Sequence, residues 1–189
     1  MPKNKFFTYS LGPAYIEHIH DELVMLLWPG SDPVAPSEYR NYNLIASAAG
    51  RPFSSAFGRD AYPTLIDKSV ALFHSLVSNH PFYNGNKRTA VIALDHFLAA
   101  NSHVLLLSDS QMYVLAEMTA TYKERGLSSD RAFAEIDETI SPMIVPFKVL
   151  NKEAKKYPAL KMLYEWSLRI RRMVRRNPVN LSAQAATHL

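Results

Sequence analysis

The sequence contains no cysteine, which excludes disulfide bonds and every mechanism that needs a thiol. Long apolar runs are also missing, since none approaches the roughly 18 residues that a membrane-spanning helix needs. The first residues carry basic charge, but Tyr9, Gly12 and Glu17 interrupt the stretch behind them too soon for a signal peptide. We therefore expect a soluble, cytoplasmic protein that makes no contact with a membrane.

Positive charge is scarce in most of the chain and concentrated at its end. Residues 1–146 hold 11 basic and 15 acidic side chains, a net charge of −4, whereas residues 147–189 hold 10 and 2, a net charge of +8. Such a tail attracts an acidic protein or nucleic acid, or it is simply the solvated face of a packed helix. Few aromatic residues accompany the charge, mainly Tyr164 and Trp166, so we expect no nucleic acid partner.

Strand patterns are sparse, and apolar residues recur at helical spacing almost throughout, so the sequence predicts an all-α fold. Residues 51–62 lack that period and are expected to form an ordered loop or short hairpin. The polar residues 177–189 are expected to fray. The predicted helices are a stripe from Tyr15 to Leu27 that ends at Pro29 and Gly30, residues 39–49, a segment from Pro63 to Asn79, one starting at or just after Asn86, one from Ser108 to about Lys123, residues 130–140, and a last amphipathic helix starting at Pro158 with its arginines mostly outside.

Residues 80–90, with the sequence His-Pro-Phe-Tyr-Asn-Gly-Asn-Lys-Arg-Thr-Ala, carry the most chemistry. His80 lies where a helix must end, because Pro81 disfavours helical geometry in the residue before it. Its imidazole can accept a proton at neutral pH. Gly85 permits a turn with positive φ, and the helix that starts near Asn86 presents free N–H groups to an anion.

Two cations follow at that helix start. Lys87 and Arg88 oppose the helix dipole, so a purely structural helix would favour Asp or Glu at these positions. Their presence favours a bound anion, and Arg88 can make paired donor contacts to phosphate oxygens. A base beside a phosphate site, in a chain without thiols, indicates transfer of a phosphate group to a hydroxyl. The alternative is that His-Pro is only a helix exit and Asn-Gly only a turn.

Residues 80–88 match, at every fixed position, the signature of the Doc branch of the Fic/Doc family, His-x-Phe-x-(Asp/Asn)-(Ala/Gly)-Asn-Lys-Arg. The similarity covers about residues 15–123, and residues 51–58 resemble the region where the family carries a target-docking flap. The resemblance implies a Fic/Doc-type helical bundle with a short flap before the motif helix. Residues 1–126 would form the catalytic domain, and residues 127–189 a basic helical extension packed on it.

The resemblance also implies roles for individual residues. The histidine at the position of His80 is the family's general base, which takes the proton from the target hydroxyl, and Phe82 has a packing role. Asn84 is a weak candidate for binding Mg²⁺, since many relatives carry an acidic residue there and an uncharged amide oxygen binds the ion less strongly. The residues assigned to the phosphates of ATP are Gly85, Asn86, Lys87 and Arg88. The residues assigned to the flap are Arg51, Pro52, Phe53 and Phe57.

One position separates two activities within the family. Fic proteins that transfer AMP carry a second arginine in the motif helix, and that position is Val91 here. In the Doc branch this replacement goes with a reversed nucleotide, transfer of the γ-phosphate and, as target, a threonine of elongation factor Tu. The resemblance therefore implies a Doc-like toxin that phosphorylates a Ser or Thr hydroxyl of an elongation factor Tu-like protein.

The pattern (Ser/Thr)-x-x-x-Glu-(Gly/Asn), which marks relatives that inhibit themselves, does not occur in the sequence. We therefore expect a partner chain, an antitoxin, to control the activity. Two alternatives stay open. One is AMP transfer to a protein hydroxyl, and the other is a catalytically weakened Fic fold that binds nucleotide or a partner, which is suggested by Asn84 and the basic tail.

Overall fold

The computed structural model describes residues 8–24 and 40–176. The predicted all-α fold is confirmed, with two short strand pairs beside the helices. In chain order the elements are α1 (Pro13–His18), a π-helical turn (Ile19–Val24), α2 (Tyr42–Gly50), a 3₁₀ turn (Arg51–Phe53), β1 (Ser55–Ala56), β2 (Arg59–Asp60), α3 (Leu65–Ser78), α4 (Asn86–Ala100), β3 (His103–Leu105), α5 (Asp109–Ala120), α6 (Ser129–Ile140), a second 3₁₀ turn (Ser141–Met143), β4 (Ile144–Pro146), α7 (Phe147–Ala154) and α8 (Pro158–Arg176).

Side-chain caps fix the starts of several helices. Thr64 and Asp67 form a reciprocal capping box at the start of α3. Ser108 and Gln111 form another at the start of α5. Each box satisfies main-chain N–H groups that have no partner inside the helix. The helix α4 differs, because it begins after Gly85 with no side-chain cap and no acidic residue in its first turn.

The consecutive helices α3 and α4 form the centre of the hydrophobic core. They pack against each other, α3 also contacts α2 and α6, and α4 also contacts the π-helical turn and α8. Their fully buried side chains include Phe73, Leu76, Leu94 and Phe97, and burying each stabilises the fold by roughly 1.5–3 kcal/mol. The connection between α3 and α4, residues 79–85, is therefore held at one end of the core by two firmly packed helices.

The helix α8 packs on the same core through Ile170 and Val174. Arg175, which the sequence pattern places outside, instead donates from Nε to the carbonyl of Ala100 at 2.9 Å. A positive charge at this point stabilises the C-terminal end of α4, where the helix dipole is negative. The predicted domain boundary at residue 126 falls in the turn between α5 and α6, and residues on both sides of it share one hydrophobic core.

The structure corrects several element predictions. The first helix is regular only over Pro13–His18 and continues as a π-helical turn, while its predicted end at Pro29 and Gly30 lies outside the described residues, as do residues 177–189. Periodicity does not predict α7 or the pairing of β3 with β4, because elements of eight and three residues are too short to establish a period. Within the described part of the chain, no helix combines the length and apolarity needed to cross a bilayer.

Two histidines are buried in the core helices. The ring of His74 lies 4.5 Å from Phe133 and 5.5 Å from Tyr122 between centroids. His96 Nδ1 lies 3.0 Å from the hydroxyl oxygen of Tyr15. Burial, followed by neighbouring positive charge, lowers the pKa of both imidazoles from 6.5 to about 4. Both side chains are therefore neutral in the folded protein at pH 7.

We expect His74 and His96 to lower the free energy of unfolding as the pH falls from 6.5 to 4. In the unfolded chain each imidazole takes up a proton near pH 6.5, whereas the folded protein resists protonation down to about pH 4. Each histidine should account for roughly 3 kcal/mol of that fall. Urea unfolding across this pH range measures it. The double variant His74→Phe, His96→Gln should lose this part of the pH dependence, and an unchanged dependence in the variant would contradict the assignment.

Candidate active site

The loop between α3 and α4 is held by the side chain of Asn86. Its Oδ1 accepts a hydrogen bond from the N–H of Phe82 at 2.9 Å, and its Nδ2 donates to the carbonyl of the same residue at 2.9 Å. The Phe82 ring is buried in the core, as its predicted packing role requires. Asn86 is predicted to hold phosphate, but both polar groups of its side chain are engaged here, which leaves its main-chain N–H for an anion.

His20, from the π-helical turn, supports the same loop from the core side. Its fully buried ring stacks on Phe82, with centroids 3.9 Å apart and 4° between the planes. Nε2 lies 3.2 Å from the carbonyl oxygen of Asn84, and Nδ1 lies 2.8 Å from a carboxylate oxygen of Asp21. These two contacts, with the stacked ring of Phe82, tie the π-helical turn to the loop. No motif in the sequence singles out His20, because the loop residues that it contacts, Phe82 and Asn84, lie more than 60 positions further along the chain.

Gly85 turns the chain into α4. Its φ of 77° lies in the left-handed region, where any other residue would be strained. The N–H of Gly85 donates to Asn84 Oδ1 at 2.6 Å. Because α4 has no side-chain cap, the N–H groups of its first turn and the positive end of its dipole are left for an anion.

The two cations of the motif lie in this first turn. The ammonium of Lys87 forms an ion pair with Glu117 of α5. The guanidinium of Arg88 lies 3.4 Å from Asn84 Oδ1. Both side chains are half-buried and contact oxygen atoms, so a phosphate could take the place of these partners with its own oxygens. Glu117 cannot be found from the motif, since it lies 30 residues further along the chain.

His80 lies at the start of the loop with a φ of 45°, a conformation that costs a residue other than glycine about 1–3 kcal/mol and is common at functional sites. Its side chain is exposed. Partial burial, followed by the positive charges of Arg40, Lys87 and Lys123, lowers the pKa of His80 below its usual 6.5. The imidazole is therefore neutral at pH 7 and can accept a proton. Sequence motifs do not indicate Arg40 or Lys123.

Asn84, the predicted weak Mg²⁺ ligand, has its side-chain oxygen directed at hydrogen-bond donors. Oδ1 accepts from the N–H of Gly85 at 2.6 Å and lies 3.4 Å from the guanidinium of Arg88. An oxygen that faces a guanidinium does not fit a metal ligand. Across residues 8–24 and 40–176, no group of three or more His, Cys, Asp or Glu side chains could hold a metal ion. The Mg²⁺ role of Asn84 stays a prediction that this geometry does not support.

The segment predicted as a flap is a two-stranded hairpin. The strands β1 and β2 pair antiparallel, with Ser55 opposite Asp60. At the tip, Phe57 and Gly58 have φ values of 52° and 74°, as in the tight turns that match the twist of a hairpin. The Phe57 side chain is fully exposed.

The base of the hairpin is tied down by the buried amine of Lys68. Its Nζ donates to the carbonyl oxygens of Pro52 and Tyr62 at 3.0 and 2.6 Å, and burial lowers the pKa of Lys68. The guanidinium of Arg51 is drawn towards the body, where Nε donates to the hydroxyl of Tyr62 at 2.9 Å. Of the residues predicted to dock a target, the base holds Arg51, Pro52 and Phe53, and the tip holds Phe57.

The arrangement can bind a polyanion at the start of α4, and the imidazole of His80 can take a proton from a hydroxyl group beside it.

A family model described as "Fic/DOC family" matches residues 10–98. The chain is 38% identical over 97 residues to a protein named Toxin Doc from Mycolicibacterium smegmatis, and the aligned stretch covers 51% of this chain and 74% of that protein. The chain belongs to the Fic/DOC family. No solved structure matches it. The Fic/DOC match ends within α4, so it includes the hairpin and the motif loop, whereas α5 to α8 lie beyond it.

Replacing Asn86 by Ala should lower the free energy of unfolding by about 1–3 kcal/mol, because both main-chain groups of Phe82 lose their partner in a partly buried loop. Chemical denaturation measures the difference. Asn43→Ala, at an exposed position of α2, is the matched control and should change stability by less than about 0.5 kcal/mol. Equal stability of the two variants would show that Asn86 does not hold the loop.

Proposed function

We propose that this Fic/DOC protein is a Doc-like toxin that transfers the γ-phosphate of ATP to a Ser or Thr hydroxyl of a target protein, with an elongation factor Tu-like protein as the target. The observation that carries the proposal is the uncapped start of α4, entered through a left-handed Gly85, beside a neutral imidazole at His80. The similarity to the mycobacterial protein named Toxin Doc supports the toxin assignment.

The polyphosphate of ATP would bind at the start of α4. Main-chain N–H groups of the first turn would donate to phosphate oxygens, with Gly85 allowing close approach. Lys87 would exchange the carboxylate of Glu117 for a phosphate oxygen, and Arg88 would turn from Asn84 to the same group. These contacts hold the γ-phosphate in place and offset the charge that moves to the leaving oxygen during transfer.

His80 would act as the general base. Its neutral nitrogen takes the proton from the target hydroxyl while the hydroxyl oxygen forms a bond to the γ-phosphorus. The bond from that phosphorus to the bridging oxygen breaks, and ADP leaves with the electron pair. Because the side chain of His80 is exposed, the imidazolium can return its proton to water.

Val91 favours transfer of the γ-phosphate over transfer of AMP. It is half-buried on α4 and packed against the core. Relatives that transfer AMP carry an arginine at this position, and a valine supplies no guanidinium to hold the nucleotide in that orientation. Transfer of the γ-phosphate is therefore the first candidate reaction, and transfer of AMP is the second.

Target and control would involve other surfaces of the protein. The exposed Phe57 at the hairpin tip is suited to contact a target segment and to align its hydroxyl with His80. Because the sequence lacks the self-inhibition pattern, control would come from a partner antitoxin. A toxin that acts on translation would work in the cytoplasm.

Position-labelled ATP should separate the candidate reactions. With purified elongation factor Tu as substrate, we expect label from the γ position on the target and none from the α position. His80→Ala should slow transfer by about 10²–10⁴-fold through loss of the base, while His18→Ala, at an exposed position of α1, should leave the rate unchanged. Label from the α position on the target would establish AMP transfer instead. Bound ATP without any transfer would favour a binding module.

The rate of transfer should fall at acidic pH with an apparent pKa below 6.5, because only neutral His80 accepts a proton and its pKa is lowered. Lys123→Gln should shift that apparent pKa upwards, since it removes a positive charge that disfavours the imidazolium. The control Lys152→Gln, at an exposed position of α7, should not shift it. The measurement is kcat/KM against pH, and a downward shift in Lys123→Gln would contradict the electrostatic account.

A further inference from the structure

The outer face of α8 carries side chains at coiled-coil spacing. Met162, Trp166, Arg169, Met173 and Arg176, here named the α8 seam, follow one another at intervals of four, three, four and three positions, and all five are exposed. This spacing keeps side chains in one line along a helix that faces a second helix. A neighbouring flank of α8 buries Ile170 and Val174 in the core, whereas the α8 seam itself stays exposed to solvent.

The α8 seam is too apolar for an ordinary solvated helix face. Met162 is 74% exposed, Trp166 57% and Met173 41%. A groove of about 480 Å³, lined in part by Ala159, Met162 and Trp166, runs beside its first half. Large apolar side chains that form one patch with basic residues mark an interaction surface, and Trp, Met and Arg are enriched at the centres of protein interfaces.

The positive charge of α8 indicates which kind of partner would bind there. Glu165 is the one acidic residue of the helix, whereas its basic residues are Lys161, Arg169, Arg171, Arg172, Arg175 and Arg176. Two copies of α8 packed seam to seam would bring mainly like charges together, which disfavours self-association. The apolar methionines in the line of contact offer nothing to phosphate groups, so the surface suits a helix better than a nucleic acid backbone.

We propose that the α8 seam docks an acidic amphipathic helix of a partner protein. The partner would place apolar side chains against Met162, Trp166 and Met173, and carboxylates against Arg169 and Arg176. The Fic/DOC match ends at residue 98, and α8 lies well beyond it. Near the end of α8, Arg175 contacts Ala100, the last residue of α4, whereas the proposed transfer site is at the first turn of α4. The docking proposal does not depend on the activity assigned to that site.

The test uses the full chain and a fluorescein-labelled synthetic helix, with leucines placed to face the apolar positions of the α8 seam and glutamates elsewhere. Fluorescence anisotropy should report saturable binding that weakens as salt is added. A second peptide with the same leucines and lysines in place of the glutamates should bind at least tenfold more weakly. Equal binding of the two peptides, or no binding of the acidic one, would overturn the proposal.

Variants of exposed residues locate the contact without disturbing the fold. Trp166→Ala and the double variant Arg169→Glu, Arg176→Glu should each weaken binding of the acidic peptide at least tenfold. Lys152→Glu, with the same change of charge at an exposed position of α7, should leave it within twofold, and circular dichroism confirms that each variant is folded. Unchanged binding by the Arg169→Glu, Arg176→Glu variant would overturn the charge assignment.

Two further measurements test whether a second copy of this chain or a nucleic acid binds the α8 seam instead. In sedimentation experiments without peptide, the protein should not form a dimer through the α8 seam. A concentration-dependent dimer that disappears in the Trp166→Ala variant would show that a second copy covers the seam, and it would overturn the proposal. A labelled DNA duplex at the same ionic strength should bind more weakly than the acidic peptide. Tighter binding of the duplex would identify a nucleic acid surface and overturn the proposal.

Discussion

The structure of the candidate site depends on the two hydrogen bonds between the Asn86 side chain and the main chain of Phe82. They close the loop between the two central helices. Together with the buried Phe82 ring, they fix the position of this loop relative to the core. In this loop His80 has a left-handed conformation, and α4 starts directly after Gly85. The same asparagine that begins the helix thus shapes the loop in front of it.

The positive electrostatic field at the candidate site results from this arrangement of the loop and α4. The helix α4 begins without a cap, and cations from three other parts of the chain surround His80: Arg40 before α2, Lys87 in the motif helix and Lys123 after α5. Their field favours a bound anion and disfavours a protonated imidazole. In the proposed mechanism, the positive charges that would attract phosphate also keep the imidazole of His80 neutral.

Much of the fold is local and can be predicted from the sequence. The capping box of Ser108 and Gln111, the start of α4 and the hairpin near residues 51–62 follow from neighbouring residues. His20, Glu117 and Lys123 could not be found in this way, since the contacts that matter join them to residues 30 or more positions away. The role of Asn86 also escaped prediction, because its residue type suits phosphate binding and loop closure equally well.

The most direct test of the central claim is a pair of ¹H–¹⁵N spectra of the full chain, recorded with and without ATP. If the start of α4 is the phosphate site, the largest shifts should fall on the amides of residues 85–88, and Lys87→Ala should reduce them at the same ATP concentration. Amides of those residues that stay unmoved at saturating ATP, with shifts concentrated elsewhere, would contradict the account.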